Sequence, residues 1–270
     1  MPLPCLGKGY FFGYNCAMPW DPDRYHQFQS QRSAPFADLL ALVMVRPNLR
    51  VVDLGCGTGE LTRRLADSLP ESDVLGLDNS VEMLDRAAQY VRPGLRFEHG
   101  DQAALTGTFD LIFSNAALQW SEDHPALLSH LYGCLAPGGQ LAIQVPSNHM
   151  HISHRIIREV AAQEPFRGAL NGFVRQAPVL PTEDYARLLF ELNAQDILVF
   201  EKVYPHILED SDAVVDWISG TALVPYFERL NEITKQAFTH AIRVCMKEEF
   251  PAQPVFYPFK RTLFSAVKPL

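Results

Sequence analysis

Three acidic residues in this chain end apolar runs, and the first is followed by glycines at alternate positions. Asp53 closes the run in "VVDLGCGTGEL", Asp78 closes "SDVLGLD" and Asp101 closes "LRFEHGD". Gly55, Gly57 and Gly59 make the turn after Asp53. Glycine tolerates the positive φ of such a turn and lets a ligand come close to the backbone. A tight turn that holds nothing would look the same in isolation. Asp78 lies roughly 20 residues further on, where an acid accepts hydrogen bonds from ribose hydroxyls. Asp101 is placed to meet an adenine amino group. A dinucleotide fits poorly. Its fingerprint requires a third glycine where this chain has Glu60, and Asp53 would face a pyrophosphate with like charge. An adenosine ligand that ends in an ammonium group and carries no phosphate fits better, and S-adenosylmethionine is such a ligand.

These acids must be delivered by strands. "RVVDLG", "SDVLGLD", "LRFEHGD", "FDLIFSNAAL" and "QLAIQVP" read as short buried strands. Amphipathic helices alternate with them: "GELTRRLADSL" (59–69), "SVEMLDRAAQYV" (80–91) with Ser80 as a cap, and "HPALLSHLYGCL" (124–135). An earlier helix is expected over 33–45, with Ser33 as N-cap. Alternation of this kind predicts an α/β fold with a parallel sheet wound on both faces, whose ligand sits at the carboxyl ends of the strands. Asn115, ending the fourth strand, reaches the same rim. Beyond Pro146 the pattern changes to helical segments at about 149–194 and 209–252, separated by a strand at 196–207 and followed by another at 255–267. Residues 20–270 read as one domain with helical cover segments, preceded by an aromatic, Gly/Pro-broken extension at 1–19 that has no signal-peptide pattern.

Bulk properties narrow the partners. The chain has 270 residues, 47% hydrophobic, with a formal charge of -8 and a pI near 5.6. That charge disfavours nucleic acid and anionic membranes, and no apolar run reaches the roughly 18 residues of a spanning helix. Five scattered cysteines suit reduced thiols in a cytoplasm. No ligand pattern for a metal is expected, although "HMHISHR" (149–155) is dense in histidine.

"VVDLGCGTGELTRRLA", "LGLDNSVEMLDRA", "GD" and "FDLIFSNAALQW" resemble, in order and spacing, the motifs of class I S-adenosylmethionine-dependent methyltransferases over residues 45–146. "WDPDRYHQFQSQRSAPFADLLA", "NAALQWSEDHPALL", "VDWISGTALVPYFERL" and "YPFKRTLFSAV" are similar to the trans-aconitate 2-methyltransferase family over nearly the whole chain from Trp20. The resemblance implies a Rossmann-like fold with a seven-stranded, mostly parallel sheet, helices on both faces and a helical lid. It implies that Asp53, Gly55, Gly57, Asp78, Asn79, Met83, Asp101, Gln102 and Asn115 hold the cofactor, with Tyr25 and Arg32 closing over it. Arg32 could instead pair with Asp38 at the surface.

Methyl transfer to a carboxylate needs no general base, because the nucleophile is already ionised at neutral pH (reference pKa about 4). No catalytic side chain is therefore expected. Acceptor contacts are expected from His149, Arg155, Arg175, Lys260 and Arg261, with Trp120, Trp217 and Tyr226 as walls. Lys260 and Arg261 alternate along a strand, so only one can face a given side. With a phenol or amine acceptor, His124, His149 or His151 could serve as base. A malonyl-carrier thioester, a natural-product hydroxyl, or cofactor binding without turnover stay open as alternatives. The expected product is S-adenosylhomocysteine, and the expected state a monomer or weak dimer.

Overall fold

The computed structural model describes residues 29–270, with side chains from residue 34 onward. Its seven-stranded sheet has the order β3-β2-β1-β4-β5-β7-β6. The strands are β1 (Arg50–Leu54), β2 (Asp73–Asp78), β3 (Leu95–His99), β4 (Phe109–Asn115), β5 (Leu135–Pro146), β6 (Gln195–Leu208) and β7 (Val255–Val267). The first five run parallel, and β7 pairs antiparallel with β5. Strand order reverses between β1 and β4, which opens the crevice where ligands bind in such sheets.

The chain divides into two compact units. The sheet unit takes Ser30–Ser147, Ala177–Tyr204 and Lys260–Leu270. Its helices are α1 (Gln29–Leu40), α2 (Glu60–Ser68), α3 (Val81–Ala87), α4 (His124–Gly133) and, later in the chain, α7 (Thr182–Glu191). The central strands are apolar on both sides because both faces are covered. Val52, Ile112 and Ile143 pack with Leu128 of α4 and Tyr185 of α7 on one face. Val51, Phe113 and Ala142 pack with Phe36 of α1 and Leu65 of α2 on the other. The Phe36 and Phe113 rings meet edge to face at 5.7 Å.

Helix α1 begins at Gln29, so Ser33 lies inside it and is not its N-cap. Two later helices of the sheet unit do have side-chain caps. Ser80 Oγ accepts from the Met83 amide at 3.3 Å, and Asp123 Oδ1 accepts from the Ala126 amide at 2.9 Å.

The helical unit takes Asn148–Gln176 and Pro205–Phe259, with α5 (Ile152–Ala161), α6 (Phe166–Ala169), α8 (Ser211–Ser219), α9 (Val224–Phe227) and α10 (Glu232–Glu249). It has a core of its own, in which Phe238 of α10 meets Phe166 and Tyr226 at 5.2 and 5.5 Å. The segment 149–194, expected as one helical cover, is thus divided: α5 and α6 belong to this core, whereas Tyr185 and Leu189 of α7 are buried against the sheet.

Candidate functional site

The glycine turn joins β1 to α2 with Gly55, Gly57 and Gly59 at φ 71°, 53° and 77°. All three are left-handed, which is why side chains are absent there. Gly55 has a second reason. A Cβ on it would lie 2.2 Å from the Ala117 Cβ, so the turn touches the segment following β4. That segment is itself constrained, since Ala116 sits at φ 59°. Among the described residues, nothing lies within 4 Å of a Cβ added to Gly57.

Asp53 is buried beneath this turn and only 4% exposed. Thr62, from α2, donates its hydroxyl to Asp53 Oδ2 at 2.6 Å. Burial pushes the Asp53 carboxyl up to about 7; the Thr62 bond offsets part of that rise, and the charge of Asp78 adds to it. Cys56, within the turn, has its thiol pushed far up by burial and then by the charges of Asp53 and Asp78. Asp78 ties the cradle together. Its Oδ2 accepts from the Gly57 amide at 2.8 Å and its Oδ1 from the Ser80 amide at 2.9 Å. A carboxylate has about four acceptor positions, so it can still receive hydroxyl groups.

Asp101 is exposed and its Oδ1 caps the short turn Gln102–Ala104 by accepting from the Ala103 amide at 2.9 Å. Gln102 donates to Ser121 Oγ at 2.7 Å, and its buried Oε1 has no hydrogen-bond partner among the described residues. The same is true of the buried Asn115 Oδ1. Asn79 is exposed, with its carbonyl 3.1 Å from His99 Nε2, and Met83 is half-buried in the first turn of α3. Tyr25 lies outside the described residues, as does the side chain of Arg32. Asp38 receives Lys202 Nζ at 2.7 Å and the Tyr204 hydroxyl at 2.6 Å.

The expected acceptor residues fall in both units. Trp120 and Lys260 belong to the sheet unit; Trp120 is 46% exposed, and Lys260 pairs with Glu201 at 2.8 Å. His149, Arg175, Trp217 and Tyr226 belong to the helical unit. The His149 carbonyl accepts from Arg158 Nη1 at 2.9 Å, and the Arg175 amide donates to the Tyr226 hydroxyl at 3.1 Å. Trp217 and Tyr226 are 5% and 2% exposed and serve as core of this unit.

Of the bases weighed for other acceptors, His124 is structural. Its ring nitrogens meet the Tyr185 hydroxyl at 2.6 Å and the Leu118 carbonyl at 2.9 Å, and burial lowers its pKa. His151 caps α5 through Ser153, whose hydroxyl also meets the Tyr257 hydroxyl at 2.9 Å. Burial, and then the charges of His151, Arg158 and His149, push His154 down to about 3, so it is neutral at pH 7.

Sequence reasoning missed Thr62 and Gln144. A polar residue inside the apolar run "LAIQVP" was the available signal for the second.

These residues fit S-adenosylmethionine. A buried acid waits where an ammonium group would end, the turn is open at Gly57, and polar atoms at Gln102 and Asn115 lack partners among the described residues. Asp78→Ala is expected to weaken S-adenosylhomocysteine binding by about 1–3 kcal/mol, the scale of lost charged hydrogen bonds. Asp78→Asn, which keeps an acceptor, should recover part of it. Titration calorimetry measures both, and unchanged affinity in the alanine variant would remove Asp78 from the cradle.

The sequence family described as a methyltransferase domain matches residues 51–139. The trans-aconitate 2-methyltransferase of Deinococcus radiodurans is 49% identical over 258 residues, covering 93% of this chain and 99% of that protein. The trans-aconitate 2-methyltransferase of Streptomyces avermitilis is 39% identical over 262 residues, covering 92% and 97%. Among solved structures, phosphoethanolamine N-methyltransferase 2 of Haemonchus contortus, in complex with S-adenosyl-L-methionine, superposes with a TM-score of 0.53 at 19% identity. That match covers 90% of this chain and 53% of that one. The [4+2]-cyclase SpnF superposes with a TM-score of 0.56 at 16% identity, covering 90% and 83%. A cyclase on this fold means that the fold alone does not settle a reaction.

Proposed function

Because the chain belongs to the trans-aconitate 2-methyltransferase family, we propose that it transfers the methyl group of S-adenosylmethionine to a carboxylate of a small polycarboxylic acid, with trans-aconitate as the leading acceptor. The observation that carries this reading is the 49% identity running over 99% of a relative that bears that name. When bound, the cofactor supplies an electrophilic methyl group on a sulfonium. The chain's own residues bind and orient. Asp53 and the turn at Gly55 and Gly57 receive the amino-acid end, Asp78 the ribose, and Asp101 with Gln102 the adenine side. Asn115 lies at the end of β4, beside the crevice.

No side chain has to move a proton, because the acceptor carboxylate is ionised at neutral pH. The rate gain comes from alignment and from stripping water off the nucleophile. On the acceptor side this reading keeps Trp120, which is 46% exposed in the sheet unit. Its setting is a reducing cytoplasm, where Cys56, Cys134 and Cys245 stay free thiols; among the described residues no helix is long and apolar enough to cross a membrane. Nucleic acid has no part in this reading, and the working unit is a monomer or weak dimer.

The test is methyl transfer from labelled S-adenosylmethionine against tri- and dicarboxylates, with aromatic hydroxyls alongside. Labelled methyl esters are the expected product, trans-aconitate ahead of saturated analogues. Methylation of hydroxyls with none of the acids would overturn the proposal.

A further inference from the structure

The face of the sheet under α1 changes character towards the carboxyl ends of its strands. Register places Asp53 of β1 beside Phe113 of β4, Phe113 beside Ala142 of β5, and Asn115 beside Gln144. On β7, Leu263 lies opposite Gln144 and Arg261 opposite Pro146. Successive side chains alternate faces, so Asp53, Asn115, Gln144 and Arg261 share one face. Lys260 is turned away to Glu201, which also accepts from the Ser147 hydroxyl at 3.1 Å. Alternation thus selects Arg261, not Lys260, for the cofactor side of the sheet.

Gln144 is 0% exposed and Arg261 6%. Arg261 Nη1 donates to Gln144 Oε1 at 3.2 Å. A guanidinium can only donate, so the amide atom facing it is the oxygen and Nε2 is the free end. That Nε2 is buried with no hydrogen-bond partner among the described residues, and the neighbouring Asn115 Oδ1 is likewise unmatched. A buried unmatched amide is costly, and one retained in a folded protein asks for a ligand group to satisfy it. An N–H donor next to a guanidinium fits a planar carboxylate.

We infer that Gln144 and Arg261 form the subsite for a carboxylate of the methyl acceptor. The inference rests on the proposed function and deepens it. A carboxylate could also come from the amino-acid end of the cofactor, but distance argues against that source. Gln144 lies two strands from Asp53, about 10 Å at the usual strand spacing. The cofactor's ammonium and carboxylate share one carbon, so a carboxylate held beside Asp53 stays on the β1 side of that gap.

The test uses the full chain with Gln144→Glu, which keeps the volume and the Arg261 contact while replacing the donor with a negative charge, and with Arg261→Lys, which keeps the charge and loses the fork. Both should raise KM for the polycarboxylate about tenfold or more, and leave the Kd for S-adenosylhomocysteine within about twofold. An acceptor analogue lacking one carboxylate should show the same KM in wild type and Gln144→Glu, which a merely structural role would not produce. A loss of S-adenosylhomocysteine affinity as large as the rise in KM would overturn the inference in favour of the cofactor's carboxylate. If neither quantity moves while the wild type methylates acids, the subsite fails and the proposed function stands. If the wild type methylates no acid, the proposed function fails and takes the subsite with it.

Discussion

Gly55→Ala is expected to cost about 2–5 kcal/mol of stability, whereas Gly57→Ala, two residues on, should cost about 1–2 kcal/mol and still abolish tight cofactor binding. Both glycines are left-handed, which alone costs an alanine about 1–2 kcal/mol. The difference lies in what the new methyl group meets. At Gly55 it would sit 2.2 Å from the Ala117 Cβ, a separation that forces the turn away from the segment after β4. Overpacking of that kind adds about 1–3 kcal/mol. At Gly57 it meets nothing within 4 Å among the described residues, so the fold tolerates it and the incoming ligand does not. Thermal unfolding and calorimetry separate the two effects. At roughly 2–4 °C per kcal/mol, Gly55→Ala should melt well below wild type and Gly57→Ala close to it. Wild-type affinity in Gly57→Ala would show that the ligand does not approach the turn there.

Asp53→Asn is expected to stabilise the ligand-free protein at pH 8 while weakening S-adenosylhomocysteine binding about 10- to 100-fold, the range for a buried charged contact. In the unfolded chain the carboxyl titrates near about 4, and in the folded one it is pushed up to about 7 by burial first. A raised carboxyl binds its proton more tightly in the folded state. The stability this confers is complete below the unfolded value and is lost as pH rises through the folded one. Above pH 7 the cost of burying the ionised group is of the order of 4 kcal/mol at most. Asparagine avoids it and still accepts from Thr62, but buries an amide N–H at about 1–3 kcal/mol. The net gain should be a few degrees in Tm at pH 8, shrinking to nothing near pH 5. Wild-type affinity for S-adenosylhomocysteine should rise with pH up to about 7, because the ligand's ammonium requires the ionised acid, and the Asn variant should lack that rise. Equal melting at pH 8 would sink the account.

The residues proposed for the cofactor side could be picked out in the sequence because their chemistry is local. An acid at a strand end and a glycine after it lie in a few consecutive residues, and "VVDLGCGTGEL" carries both. The strands were legible for the same reason, and β7 spans the 255–267 expected for it. What escaped depends on partners distant in sequence. Whether Lys260 or Arg261 points inward is decided by the pairing of β7 with β5, more than a hundred residues earlier. Gln144 sits in a strand buried on both faces, where polar–apolar alternation disappears. Trp217 and Tyr226 are aromatic on amphipathic helices, a pattern that fits a pocket wall and a core equally. They proved to be core because the helical unit closes on its own apolar residues. The division of 149–194 has the same origin: an amphipathic helix does not say which apolar surface it will meet.

Cys56, between two glycines of the turn, carries a consequence for redox chemistry. Thiolates, not thiols, are alkylated and oxidised. Burial, together with the charges of Asp53 and Asp78, keeps this sulfur protonated far above neutral pH. The same acids that attract a cationic ligand therefore passivate the thiol beside it. Peroxide or a disulfide reagent at neutral pH should leave the binding turn chemically intact, so the enzyme carries a cysteine in its cofactor cradle without becoming an oxidant sensor.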